Sequence, residues 1–211
     1  MKPHASQHEA WRVLLDSHKS QDMSLLSEAL SQDKLYDNPL KLGTFIDNHD
    51  MVRFMSDTAG DIRRQEQALA FLYAVRGTPH VYYGTEVAME GIGPANRNDM
   101  EWGKNPELTE SFKRLTEARK GSEALQYGSQ QELHCGKDTY AFSRIRPEEE
   151  VVCVFNKGDE EQTVSLPLHK DSPIPDTATL KDMFCDESVT VHDRSVTVTV
   201  PPKGYRYLQW K

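Results

Sequence analysis

Thr44-Phe45-Ile46-Asp47-Asn48-His49-Asp50 closes a short apolar run with an amide, an imidazole and a carboxylate side by side. About thirty residues on, Gly77-Thr78-Pro79-His80-Val81-Tyr82-Tyr83-Gly84-Thr85-Glu86 gives a second apolar run closed by Gly and an acid. Between them, Asp61 to Arg76 sets Ile62, Leu69, Leu72, Tyr73 and Val75 along one broad face, with Ala68, Ala70 and Ala74 allowing close approach. That stretch reads as one helix, opened near Gly60-Asp61 and ended at Gly77. Strand, polar tip, helix, strand, polar tip is the unit of a parallel α/β barrel, whose chemistry sits at the carboxyl ends of its strands.

Working outward, Leu40 to Ile46 and Pro79 to Tyr83 are the expected strands. Asp22 to Leu30 is a short helix with Asp22 as N-cap, preceded by a polar, His-rich stretch with a small apolar cluster of Trp11, Val13, Leu14 and Leu15. A Gly-rich loop runs from Gly84 to Asn105, and Pro106 to Lys120 is a helix opened by Asn105-Pro106 and closed by Gly121. From about Ala124 the texture changes. Tyr140–Ile145, Val151–Phe155, Thr163–Leu166, Ser188–Val191, Ser195–Val200 and Tyr205–Trp210 are short strands separated by turns such as Asn156-Lys157-Gly158-Asp159, the pattern of an antiparallel sandwich. The cut falls near residue 123, giving 1–123 as barrel and 124–211 as sandwich. The fold class is therefore α/β plus all-β: a partial (β/α)8 barrel, units 7 and 8 only, followed by an antiparallel β-sandwich.

Size and charge narrow the choices. A whole (β/α)8 barrel takes about 250 residues, more than the 211 present. A net charge of -8 argues against nucleic acid or anionic membrane as partner, and no apolar run approaches the roughly 18 residues of a membrane span. Met1 to Ser6 is followed by charge rather than by the apolar core of a secretory signal. Cys135, Cys153 and Cys185 are too widely spaced for a zinc motif; they read as strand-core thiols, with one disulfide as the alternative. They lean slightly towards a reducing, cytoplasmic compartment, export is compatible too, and the localisation stays open.

Along a strand alternate side chains share a side, so Asn48, His49 and Asp50 face one pocket only if the chain turns near Asp47. Asn and neutral His can donate while a carboxylate accepts, so the three can hold adjacent hydroxyls of a polyol. The carboxylate can also oppose positive charge growing on an anomeric carbon. Taken alone, the triplet reads equally as a turn or a helix cap.

Phe45-Ile46-Asp47-Asn48-His49-Asp50 resembles the signature at the end of barrel strand 7 in the α-amylase family of glycoside hydrolases, and Gly77 to Glu86 resembles that family's strand 8 signature. The resemblance covers about residues 35 to 211. It implies Asp50 as transition-state stabiliser, His49 as a ligand of the glucose unit at the cleavage point, and Asn48 in support. Pro94-Ala95-Asn96-Arg97-Asn98-Asp99-Met100-Glu101-Trp102 is similar to a stretch in members acting on malto-oligosaccharides, which implies Arg97, Met100 and Trp102 near the sugar; Trp102 could equally pin the loop to the barrel. Glu86 reads as a buried hydrogen-bonding residue. The implied substrate is an α-glucan or malto-oligosaccharide.

The departure from the family is as informative. Its nucleophilic Asp and general-acid Glu belong to strands 4 and 5, and only about forty residues precede the strand 7 signature here. Retaining glycosidases need two carboxyl groups about 5–5.5 Å apart, so this chain is expected to carry the third acid and to be inactive alone. No cofactor or metal is expected in it; the calcium that many members bind belongs to an insertion after strand 3. The expected partners are the missing N-terminal part of the barrel and, through open strand edges, a second copy. The alternative is a non-catalytic glucan-binding or interaction module.

Overall fold

The computed structural model describes residues 23–211; the apolar cluster at Trp11 to Leu15 and the Asp22 cap lie outside them. Helix α1 (Ser24–Ser31) buries Leu26, Ala29 and Leu30 together with the preceding Met23. Strand β1 (Gly43–Thr44) pairs parallel with β2 (Thr78–Pro79), Gly43 opposite Thr78 and Thr44 opposite Pro79. The parallel pairing is as expected, but both strands are shorter than the apolar runs suggested. Pro39–Lys41 is a 3-10 turn, with Asn38 Oδ1 accepting from Leu40 N at 3.0 Å. Pro79 has no N–H to offer a ladder, and the chain turns again at Gly84, φ +85°.

Helix α2 (Phe54–Asp57) and helix α3 (Ile62–Ala74) follow the first strand tip. Asp61 caps α3, accepting from Arg63 N at 3.1 Å and Arg64 N at 3.4 Å. From Ala68 to Ala74 the helix is buried on every side, whereas Ile62, expected on its inner face, is 38% exposed. The reason is a third layer: one side of α3 meets helix α4 (Pro106–Lys120), where Tyr73 and Phe112 stack edge to face at 5.5 Å. The other side meets the second half of the chain. Gly77, φ +96°, lets β2 enter beside β1, since a Cβ there would stand 2.5 Å from Leu42 O.

After the short helix α5 (Glu123–Tyr127), eight strands follow: β3 (Ser129–Cys135), β4 (Thr139–Arg146), β5 (Glu149–Asn156), β6 (Gln162–Pro167), β7 (Thr179–Asp182), β8 (Ser188–Thr190), β9 (Ser195–Val200) and β10 (Gly204–Trp210). They form a six-stranded antiparallel sheet in the order β3-β4-β5-β10-β7-β8, and β6 pairs antiparallel with β9. Tyr140, Phe142, Cys153, Phe155 and Tyr207 belong to the same core as α3, while Ala141, Val152, Val154 and Leu208 belong to the core with Val196, Val198 and Val200 of β9. Strands β4 and β5 are consequently buried on both faces, as a middle layer must be. Strands β3 and β7 were not anticipated: Ser129-Gln130-Gln131-Glu132 and Thr179-Leu180-Lys181-Asp182 carry too much polar character to read as strands.

The core runs across the cut near residue 123. Phe71 of α3 packs edge to face on Phe155 at 5.1 Å and on Phe142 at 5.8 Å, and Tyr207 donates its hydroxyl to Ala70 O. Two buried arginines close the carboxyl end of α3. Arg119 donates to Tyr73 O (2.7 Å), Val75 O (3.0 Å) and Gly77 O (2.6 Å); Arg144 donates to Ala74 O (2.7 Å) and Gly128 O (3.0 Å). Burial draws both guanidinium groups below the usual arginine range, Arg144 to about 9. They still carry their charge at neutral pH, where it favours a helix carboxyl terminus. Of the three cysteines only Cys153 lies in a strand core, Cys135 being exposed and Cys185 half-buried.

Arg119→Met should lower unfolding free energy by about 3–5 kcal/mol, because three buried carbonyls lose charged donors; a loss under about 1 kcal/mol in urea melts would contradict this account. Asp61 supplies a pH signature. Burial pushes its carboxyl up, but the Lys203 ammonium at 2.7 Å, the backbone N–H of Arg64 and the nearby charges outweigh that and hold it below the usual range. A lowered carboxyl contributes stability above its unfolded pKa and loses it as pH falls through the folded value. Asp61→Asn should therefore cost about 1 kcal/mol at pH 7, with the gap closing below about pH 4; a gap that is constant from pH 7 to pH 3 would exclude it.

Candidate active site

The first strand tip turns as the pocket required. Asn48 Oδ1 accepts the Asp50 N–H at 2.8 Å, an Asx turn that follows Asp47, three residues beyond the end of β1. Asp47 itself points inward: 2% exposed, it accepts from Phe54 N at 3.0 Å and from Thr85 Oγ1 at 2.7 Å. One buried carboxylate thus ties the first tip to the start of α2 and to the second tip. The second acid of the motif, Asp50, is left facing out.

Asp50 has a side chain 70% exposed, with Oδ2 at 3.1 Å from His49 Nε2 and Oδ1 accepting from Arg97 Nη2 at 3.0 Å. Arg97 also donates Nε to His49 O at 3.0 Å. The structure therefore gathers Asn48, His49, Asp50 and Arg97, four of the six residues selected from sequence, at the carboxyl end of β1. His49 lies at 6.4 Å from the Tyr82 ring. Met100 and Trp102 lie further along the flanking loop. Trp102 is 86% exposed, so it does not pin that loop to the barrel. Glu86, in the 3-10 segment Thr85–Val87, is half-buried, and its Oε2 has no hydrogen-bond partner among the described residues, unlike the hydrogen-bonding residue expected there.

Three residues that shape the site were not singled out from the sequence. Arg53, 0% exposed, donates Nε to Asn96 O (2.9 Å) and Nη1 to Tyr83 O (2.6 Å), with its guanidinium 4.1 Å over the Tyr82 ring. Asn96 sends its amide back to the first tip, to His49 O (2.9 Å) and Met51 O (2.6 Å). Thr85 holds Asp47. Burial, and then the adjacent Tyr83, push the Tyr82 phenol above its ordinary value, so it stays protonated beside the cation. Only the closeness of Arg53 to the first signature and of Asn96 to Arg97 could have flagged them; their partners lie some forty positions away. No three His, Cys, Asp or Glu side chains among the described residues gather as a metal site, and no helix there is long and apolar enough to cross a membrane. Chemically, the arrangement offers one outward carboxylate flanked by a donor imidazole and a guanidinium, on a rigid base.

Known proteins share this plan. The family model described as "Alpha amylase, catalytic domain" matches residues 4–122, and that of the "Maltogenic Amylase, C-terminal domain" matches residues 131–207. The chain is 31% identical over 191 residues to a beta/alpha-amylase of Paenibacillus polymyxa, covering 87% of this chain and 16% of that protein. It is 39% identical over 124 residues to a cyclomaltodextrin glucanotransferase of Geobacillus stearothermophilus, covering 58% of this chain and 17% of that one. Among solved structures, an α-amylase of Geobacillus thermoleovorans complexed with acarbose superposes with a TM-score of 0.84 at 26% identity, covering 96% of this chain and 47% of that one. An Anoxybacillus α-amylase gives 0.85 at 25% identity, covering 95% and 44%. The chain thus spans about a sixth of the length of these curated relatives and just under half of those structures. With a strand tip, a barrel helix and a carboxyl-terminal sheet domain all of that type, the chain belongs to the α-amylase family of glycoside hydrolases.

Proposed function

We propose that the chain is the carboxyl-terminal portion of an enzyme that cleaves α-glucosidic bonds in α-glucans with retention, and that Asp50 stabilises the positive charge of its transition state. The observation that carries this reading is an outward carboxylate at the carboxyl end of a parallel strand, beside His49, in a member of this family. A fixed negative charge where positive charge develops lowers a barrier without reorganisation at the moment of reaction. His49 donates to a hydroxyl of the glucose unit at the cleavage point. Asn48 supports it by shaping the turn. Arg97, in an exposed ion pair with the carboxylate, contacts the substrate, and Met100 and Trp102 contact sugar further out. Malto-oligosaccharides are the expected ligands, in line with the acarbose held by the Geobacillus thermoleovorans relative.

Under this reading residues 1–123 are barrel and residues 124–211 the carboxyl-terminal domain. The nucleophile and general acid come from barrel strands outside this sequence, so the chain is inactive alone. Its partner is the rest of the barrel, and β1 and β2, each with one neighbour among the described residues, leave edges that also favour self-association. A second reading, a non-catalytic glucan-binding module, draws on Trp102, whose exposed ring is suited to stack on a sugar.

The purified chain should not turn over nitrophenyl maltosides, and co-expression with the preceding barrel portion of a relative should restore turnover. In that complex Asp50→Asn should lower kcat by on the order of 10²–10³-fold with little change in KM. Turnover that survives Asp50→Asn removes the catalytic assignment. No turnover in the complex, together with calorimetric binding of maltoheptaose to the chain alone that is lost in Trp102→Ala, selects the binding module.

A further inference from the structure

Asn96 belongs to the second loop, in the 3-10 segment Gly93–Arg97, yet its side chain is used on the first. The residue is 2% exposed. Its carboxamide nitrogen donates to His49 O at 2.9 Å and Met51 O at 2.6 Å and lies 3.5 Å from Asn48 O. The carbonyls on either side of Asp50 therefore converge on one buried group. The reverse connection is made by Arg53, whose guanidinium reaches from the first loop to the backbone oxygen of Asn96 at 2.9 Å. Each loop's side chain holds the other's main chain. The fit is close: a Cβ on Gly91 would stand 2.5 Å from Asn96 Cα, and Gly91 O accepts Arg53 N–H at 2.9 Å.

The contacts of the Asp50 side chain cannot fix its position. His49 and Arg97 have side chains 59% exposed, as against 70% for Asp50, and exposed ion pairs hold geometry weakly. A charge that must oppose a developing oxocarbenium has to be held to within about 0.5 Å. That precision has to come from the main chain beneath it. We propose that Asn96 is the positioning residue for the Asp50 carboxylate, acting through the carbonyls of residues 48, 49 and 51, with Arg53 closing the clamp. The proposal rests on the role given to Asp50 above.

The test is hydrogen exchange by NMR on the 211-residue chain, with Asn96→Ala and the near-isosteric Asn96→Asp, which keeps the shape and removes the donors. The Asp50 N–H, bonded to Asn48 Oδ1, should exchange about 30-fold faster in both variants, and the Arg97 Nε–H resonance should broaden. Val152 and Val154 amides in β5 should keep their rates. Asp50 exchange within threefold of the parent chain in both variants overturns the proposal. Should both variants unfold, the parent chain decides: the Asn96 carboxamide protons must exchange at least tenfold more slowly than those of exposed Asn98, and equal rates overturn it. In the co-expressed complex Asn96→Asp should lower kcat with KM nearly unchanged. An Asp50→Asn complex that keeps its kcat removes the role of Asp50 while the exchange result stands. A complex that loses kcat with Asp50→Asn but keeps it with Asn96→Asp removes the positioning role alone.

Discussion

Helix α3 ends in the buried interior. Its last carbonyls, those of Tyr73, Ala74 and Val75, emerge between α4 and the six-stranded sheet, and four carbonyls of a helix carboxyl terminus always lack partners within the helix. An unmet buried carbonyl costs about 1–3 kcal/mol, so the layered arrangement is stable only if donors are brought in from outside. Arg119 from α4 and Arg144 from β4 bring them, and each belongs to a different layer. The guanidinium groups therefore do two things at once. They satisfy the helix end, and they fasten the layers to it.

That fastening reaches the site through Gly77. Arg119 also takes Gly77 O, which fixes where β2 begins, and β2 in turn runs beside β1 in parallel register. The two strand tips are then locked together above the sheet by buried polar side chains rather than by apolar packing. Asp47 joins the first tip to Thr85; Arg53 and Asn96 exchange hydrogen bonds between the loops. Buried polar groups of this kind are costly where unpaired, and Arg53 Nη2 and Asn96 Oδ1 have no hydrogen-bond partner among the described residues. Here they make the loops beneath Asp50 stiff while its carboxylate stays open to solvent, which is the combination a charge-stabilising group needs.

Much of this was legible in the amino-acid order where local rules apply. The helix between the tips, its Asp61 cap and the parallel pairing follow from periodicity and punctuation, whereas Asp50, read from the sequence as facing a pocket, stands 70% exposed beside His49 and Arg97. Ile62 went astray because a helix covered by two layers has no single inner face to read. Strands β3 and β7 escaped notice because an edge position and a short pairing place few apolar side chains in alternation. Arg53 and Asn96 carried no periodic signal, since their partners are oxygen atoms of the backbone.

The amino-acid order alone determined the long helices, most of the strands and their sequence along the chain, the change near residue 123 from helix-and-strand to sheet, and the polar cluster at residues 48–50. These depend on contacts within a turn or a repeat of a few residues. Tertiary structure alone decided that the core continues across that change, that Trp102 stands free of the barrel, and that Asn96 and Arg53 grip opposite loops. Those outcomes depend on which groups meet across forty or more positions, and main-chain carbonyls, present at every residue, leave no mark in the sequence to announce their partners.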